Sequence, residues 1–594
     1  MPGSSRSSRG PDPFQRVERR CAEVQGDAQQ LLQLSDTDIL TLVEQYEQAG
    51  WEHRHHGNCD ESVYVGGPGI SVAMTFCGAS KRRLIETGNT PLAAQANFDS
   101  SERRNQSWWY LQNPQSDRSS RSRGSGGIET EDLTAPWSRR TERPRHPEVR
   151  TSIMCGHAGV LLAQLAWCRE FGSANEGSAI FDQQQIFRDL CAISNEYCDA
   201  DEWLYGRSGY LLGLLSVRQW MAEDAGGQLT QQAGALTPWM QGELPTIDDA
   251  IRRTVRSILS SGRQLSQQLR RDPVLGYRWC DENYIGAAHG LCGIYYALLC
   301  AHRIEAAFLP SKHDLEDLER SINWLLDHCK LTSNGNYPAT WEQEYFSPKS
   351  HNRADRPEEG ENHLVHFCHG APGFVYLLLE AHRTFGQRSA RYMEEALALG
   401  EFVFRHGVLK KGVGLCHGTA GNGFVFLALS RAFPDDKRWL KYARHYCAKV
   451  RQWVLHCEAL DRKWCDHPWS LYEGLAGTCV FLYAFLLHVA KQENSDSAAD
   501  AAEMEALPSP KRQAKESELA GDVEDQAAKG SRQNSSSLVI GSADSSIATA
   551  TRPIGLPASN VSGGSARPKG AGKNASELAR ISVYTGGFPL FEIL

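Results

Sequence analysis

A short glycine motif recurs seven times along the chain, and each copy leads into an apolar run: GGPGI from Gly66, CGHAGV from Cys155, YGRSGY from Tyr205, AHGLCGI from Ala288, CHGAPGF from Cys368, CHGTAGN from Cys416 and YEGLAGT from Tyr472. The runs after the second glycine, such as YLLGLLSV, IYYALLCA, FVYLLLEA and VFLYAFLLHVA, are apolar nearly all round, as helices buried on every side are. Between the motifs lie segments with charge on one face only, among them Asp314 to Cys329, Arg391 to Gly407 and Arg438 to Val454, which reads as an outer set of amphipathic helices. The closest motifs are about 50 residues apart, the length of one helical hairpin with its loops. Seven hairpins in sequence predict an all-α fold, either an open solenoid or a closed double ring. A solenoid needs polar end caps, and the seventh inner run is as apolar as the middle ones. The ring, an α/α toroid, is therefore the expected architecture.

The wider gaps of about 80 to 90 residues hold polar inserts at 100–150, 224–243 and 347–361. Residues 1–61 form an N-terminal segment with the first outer helix, 62–492 the toroid, 493–579 a low-complexity insert rich in Ala, Ser, Lys and Glu, and 580–594 an apolar tail expected to dock back. Segments 100–150 and 493–579 are expected to be disordered. The 594 residues carry a net charge of -8, so no basic field attracts nucleic acid. The opening MPGSSRSSRGPDPF lacks an apolar signal core, and Pro2 is incompatible with N-myristoylation. The longest apolar windows run to about a dozen residues, short of the roughly twenty that cross a membrane. A cytosolic location is expected, with peripheral contact at the plasma membrane as an additional expectation. The 17 cysteines, spread thinly through apolar helices, read as reduced core thiols.

Two consecutive motifs open with Cys-His-Gly, which in a ring brings soft ligands onto neighbouring inner-helix starts. Sulfur and imidazole suit zinc, and a site with three protein ligands keeps a fourth position open. GAAHGLCGIYY at Gly286, VHFCHGAPGFVY at Val365, the KKGVGLCHGTAGN stretch and SLYEGLAGT at Ser470 closely resemble the LanC-like proteins over about residues 62 to 486 and the final FPLFE. The resemblance implies a seven-hairpin α/α toroid holding one zinc through Cys368, Cys416 and His417. It also implies addition of a thiol to dehydroalanine or dehydrobutyrine, with the eukaryote-like features favouring glutathione as the co-substrate and proteins or peptides as acceptors.

A metal-held thiolate is the nucleophile such an addition needs, and the enolate that follows calls for a proton donor. His289 of the GAAHG motif is the candidate acid. His369, next to a ligand, is placed to support the metal site or orient substrate. Lys411 corresponds by resemblance to a family residue near the bound thiol. Glu202 in DEWLYGRSG occupies the place of an acidic residue of bacterial lanthionine cyclases and would polarise His289. Arg207 of YGRSG matches the eukaryotic pattern and is a candidate for a substrate carboxylate, against a structural ion pair as the alternative. The family's N-terminal arginine that helps hold glutathione has no matching motif, and Arg9, ahead of Pro11, is its substitute at that end. His157 stands where eukaryotic members usually have Asp, so any role of that acid is not carried over.

Competing functions are an intramolecular lanthionine cyclase and a non-catalytic scaffold that binds zinc and glutathione while its inserts recruit partners or touch membranes. A sugar-active enzyme shares only toroid architecture, and no paired carboxylates appear at the motif positions.

Overall fold

The computed structural model describes residues 34–52, 62–86, 106–107, 148–171, 182–225, 239–270, 272–309, 311–331, 335–341, 364–386, 388–409, 411–459 and 467–506. Contacts divide the chain into two units, and every described residue up to Ala490 belongs to the first. Each of the seven motifs starts an inner helix: α2 (Gly67–Glu86), α3 (His157–Phe171), α5 (Arg207–Ala225), α7 (Leu291–Ile304), α9 (Ala371–Phe385), α11 (Thr419–Ala432) and α13 (Leu475–Ala506). The outer set is α1 (Asp36–Glu52), α4 (Gln183–Ala192), α6 (Leu244–Leu269), α8 (Lys312–His328), α10 (Arg391–His406) and α12 (Arg438–Ala459). Before α3 only a turn, Glu148–Thr151, is described.

The two sets bury different fractions of their surface. Every residue from Leu291 to Ala301 of α7 is buried, whereas α6 buries one stripe that includes Ile247, Ile251, Val255 and Ile258. That stripe repeats every three to four residues, as a helix lying on a core requires. Outer helices begin where side chains satisfy free amides: Asp182 accepts from the Gln185 amide at 3.0 Å, and Ser311 with Asp314 forms a capping box on α8. The stretch Leu475–Glu493 of α13 has the length and mean hydropathy (1.3) of a membrane-crossing helix, and 78% of it is buried within the protein. Its apolar register is thus longer than expected, for the reason that holds for every inner helix: it has neighbours all round.

The motif itself has a steric explanation. A Cβ on its second glycine would lie 1.8 Å from the Ile153 carbonyl oxygen at Gly159, and 1.8 Å from that of Leu415 at Gly421. At all seven positions the obstructing carbonyl belongs to the residue six places earlier. The chain folds back over the first helical turn at backbone contact distance, and only glycine leaves room.

The residues five places before these glycines form a hydrogen-bonded circle. The Tyr64 amide donates to the Met154 carbonyl at 2.9 Å, Leu204 to Ala288 at 3.3 Å, Ala288 to Cys368 at 3.2 Å, Cys368 to Cys416 at 3.3 Å, Cys416 to Tyr472 at 2.9 Å, and Tyr472 back to Tyr64 at 3.1 Å. Between the second and third motifs the link is the Ser152 hydroxyl, donating to the Leu204 carbonyl at 2.7 Å. The outer ring closes as well, since Arg444 of α12 donates to the Asp36 carboxylate of α1 at 2.6 Å and to the Leu34 carbonyl at 3.0 Å. An open solenoid has no such last-to-first bonds, and the fold is the expected α/α toroid.

Two boundaries differ from expectation. Helix α13 runs on to Ala506, past 493, because the SAADAAEMEA stretch is made of strong helix formers as well as polar residues. Within 100–150, Gln106 and Ser107 are buried, and the Ser107 hydroxyl bonds with those of Ser71 (2.9 Å) and Thr75 (2.8 Å) on α2. Glu148–Arg150, at the end of the same span, belong to the helical turn before α3; residues 100–105, 108–147 and 507–579, the 347–361 insert and the apolar tail lie outside the described residues. Among the cysteines whose side chains are described, all but Cys155 and Cys280 are buried.

Candidate metal centre

The circle of backbone bonds sets the register of the chemistry. Its members in the fifth and sixth motifs are Cys368 and Cys416. The next residue of each motif gives the series Val65, Cys155, Tyr205, His289, His369, His417 and Glu473. Three histidines therefore occupy equivalent positions in successive repeats, beside two cysteines on the same rim.

The ligand atoms of Cys368, Cys416 and His417 all lie within 4.8 Å of one another. Two sulfurs and one imidazole nitrogen at that spacing fit zinc, whose ligand bonds of about 2.0 to 2.3 Å require donors about 3.5 Å apart. Without metal the trio is already polarised. The hydrogen bond from Cys368 is the main influence holding the Cys416 thiol well below its usual range, helped by His417 and the Tyr64 hydroxyl. Cys368, as that bond's donor and a buried group, is pushed well up. His417 is raised chiefly by its hydrogen bond with Cys416, and Glu473 adds to the effect.

These groups open on a cavity of about 260 Å³, which His289, His366, His369 and Lys411 also line. His289 Nδ1 lies 2.7 Å from Glu202 Oε2. Glu202 is 2% exposed and its carboxylate also accepts the amides of Leu204, at 3.0 Å, and Tyr205. With both oxygens taking donated protons, the carboxylate acts as acceptor toward the imidazole, so Nδ1 carries the proton and Nε2 is the free nitrogen. Burial, followed by the positive charge of Lys411, lowers His366 to about 3. Burial first and then His289 lower His369 to about 4, and its Nδ1 is enclosed without a hydrogen-bond partner among the described residues. Both are neutral imidazoles.

Of the residues singled out from sequence, the structure brings Cys368, Cys416, His417, His289, His369 and Lys411 around one cavity, with Glu202 behind His289. It does not bring Arg207 there. That guanidinium donates to Asp201 at 2.6 Å and to the Cys198 carbonyl, the structural ion pair weighed as the alternative. Arg9 lies outside the described residues. His157 is not among the cavity-lining residues, and burial lowers its pKa. Sequence reading missed His366, two places before Cys368, and Tyr64, the first motif's member of the circle. It also missed the aromatic rings around His289, contributed by Tyr205, Trp279 and Tyr284.

The sequence profile of the lanthionine synthetase C-like proteins matches residues 134–498. Glutathione S-transferase LANCL1 of Danio rerio is 35% identical over 296 residues, which cover 48% of this chain and 58% of that protein. The match thus spans little more than half of that relative's length. A solved nisin cyclase aligns at 14% identity with a TM-score of 0.44, covering 77% of this chain and 98% of the cyclase. By the extent of the profile match, the chain belongs to the lanthionine synthetase C-like family.

Proposed function

We propose that the protein is a zinc-dependent enzyme that adds the thiol of glutathione to dehydroalanine or dehydrobutyrine residues of proteins or peptides, forming a thioether. The reading is carried by one observation: a three-donor cluster suited to zinc and a carboxylate-backed histidine line the same cavity. Bound by Cys368, Cys416 and His417, zinc would lower the pKa of an incoming thiol and present it as thiolate at neutral pH.

The remaining chemistry belongs to side chains. The sulfur bonds to the β-carbon of the acceptor while the alkene's electron pair moves toward the α-carbon and its carbonyl. His289, protonated on Nε2, gives that proton to the α-carbon, and the proton lost by the thiol balances the addition. Glu202 keeps the other imidazole nitrogen protonated and stabilises the ring while it is charged, as the carboxylate of a catalytic triad does. His366 and His369 are neutral hydrogen-bonding groups available to the enolate oxygen. Lys411 supplies the positive charge for a glutathione carboxylate. The name of the Danio rerio relative supports glutathione as the thiol.

The test is incubation of the zinc-loaded chain with glutathione and a dehydroalanine peptide, read by mass spectrometry. A glutathione adduct should form well above the uncatalysed rate and disappear in Cys368→Ala, which should also lose its zinc by elemental analysis. A fully zinc-loaded chain that gives only the background rate would mean the protein is not this enzyme.

A further inference from the structure

Glu202 fixes one point of the His289 ring but not its plane. A single hydrogen bond to Nδ1 leaves the imidazole free to rock about that axis, and its side chain is 20% exposed toward the cavity. The swing is limited by neighbouring rings. Tyr205 lies parallel to the imidazole within 10° at 6.2 Å, and Trp279 within 7° at 6.3 Å. Tyr205 and Trp279 are themselves stacked at 5.4 Å and 17°, and Tyr284 meets the imidazole at 5.5 Å and 50°.

Tyr205 reaches this position through the repeat, being the third motif's equivalent of His289. Trp279 belongs to no motif. It sits on a two-residue hairpin in which the Trp279 amide donates to the Glu282 carbonyl at 3.1 Å and the Glu282 amide returns the bond at 2.9 Å. The two central residues, Cys280 and Asp281, have φ of 48° and 62°. Such primed turns favour Asn-Gly, and a residue with a Cβ there costs about 1 kcal/mol. The hairpin base is anchored, with the Trp341 amide on the Asn283 carbonyl at 2.7 Å and the Ile285 amide on the Ala339 carbonyl at 3.0 Å. A strained turn on a fixed base delivers one indole against one imidazole.

We infer that Trp279 is a positioning residue: its indole, with Tyr205, holds the His289 ring in the plane that directs Nε2 into the cavity. The inference rests on the reading of His289 as proton donor, and its test separates the two. In the zinc-loaded full chain, Trp279→Leu should lower kcat for thioether formation by about tenfold to a hundredfold with KM for glutathione unchanged. Trp279→Phe, which keeps a flat ring, should stay within about threefold of wild type. The hydrogen-bonded Nδ1 proton of His289, identified by its loss in His289→Ala, should be sharp by NMR in the wild type and in Trp279→Phe and broadened in Trp279→Leu. The inference fails if Trp279→Leu keeps its kcat, if the only change is a higher KM for the acceptor, or if the Nδ1 resonance is unaffected. Should the wild type itself form no thioether, the proposed activity falls, and the resonance alone decides whether Trp279 positions the ring.

Discussion

His289 Nδ1 is 2.7 Å from an oxygen of Glu202, a carboxylate buried behind the cavity wall with two backbone amides already bonded to it. Glutamine has the same shape but one acceptor oxygen, so Glu202→Gln must turn an NH2 group toward either a backbone N–H or the imidazole. The second choice reverses the tautomer and leaves Nε2 as the protonated nitrogen of a neutral ring, a far weaker acid than imidazolium. Turnover of glutathione and a dehydroalanine peptide should fall about a hundredfold or more, while zinc content by elemental analysis stays at the wild-type level. Unchanged turnover would remove Glu202 from the mechanism.

Lys411 and Arg207 should part company when each is replaced by alanine. Lys411 is an exposed residue on the cavity rim, so Lys411→Ala should raise the glutathione KM about tenfold, the value of one charged hydrogen bond, with little effect on folding. Arg207 neutralises Asp201, which is 6% exposed and whose pKa burial raises. Its removal leaves a buried carboxylate without its cation, so Arg207→Ala should cost about 3 kcal/mol in urea unfolding and leave the glutathione KM unchanged. A KM effect at Arg207 would show that it reaches the substrate after all.

The zinc-free protein should lose stability on mild acidification. His366 and His369 have folded pKa values of about 3 and about 4, both lowered first by burial, whereas an unfolded histidine titrates near 6.5. Below that point the unfolded chain binds protons that the folded one refuses. Stability is therefore full above about pH 6.5 and lost as pH falls toward 4, by about 1.4 kcal/mol per pH unit for each histidine. His417 works in the opposite sense because its pKa is raised: its own contribution is complete below about pH 6.5 and is lost as pH rises above that, outside the window in which His366 and His369 act. Urea midpoints at about pH 7 and about pH 5 check the sign, and His366→Gln should flatten the dependence.

The residues that were legible in sequence are those the repeat makes visible. Cys368 and Cys416 stand at the same offset from their motif glycines, with His417 one place further on, and a closed ring turns equal offset into spatial convergence. His289 and His369 follow from the same register. Tyr64 shares the offset, but a tyrosine before a glycine motif signals packing as readily as a site. Trp279 reaches His289 from a hairpin between motifs, where no periodicity points to it, and its effect comes only from tertiary placement. Arg207 lies inside a motif and so looked functional, yet its partner Asp201 is six residues earlier on a rim that sequence cannot orient. The reach of α13 to Ala506 was hidden because alanine and glutamate are common to disordered segments and to helices.

The steric reading of the motif makes its own prediction, away from the metal. At Gly159 a Cβ would sit 1.8 Å from the Ile153 carbonyl oxygen and 2.8 Å from Val63 Cγ2. The backbone cannot move aside freely: the Gly159 amide is bonded to the Gly156 carbonyl at 3.2 Å, and the adjacent Met154 carbonyl holds the Tyr64 amide in the circle. Gly159→Ala must therefore break ring bonds or displace helix α3, at about 3 kcal/mol or more. Gly242 is the control, since a Cβ there meets nothing within 4 Å. Gly242→Ala should be neutral or stabilising by about 0.5 kcal/mol through the unfolded chain. Urea midpoints of the two variants measure the difference, and equal midpoints would mean that the second glycine is not what lets the chain fold back at each inner-helix start.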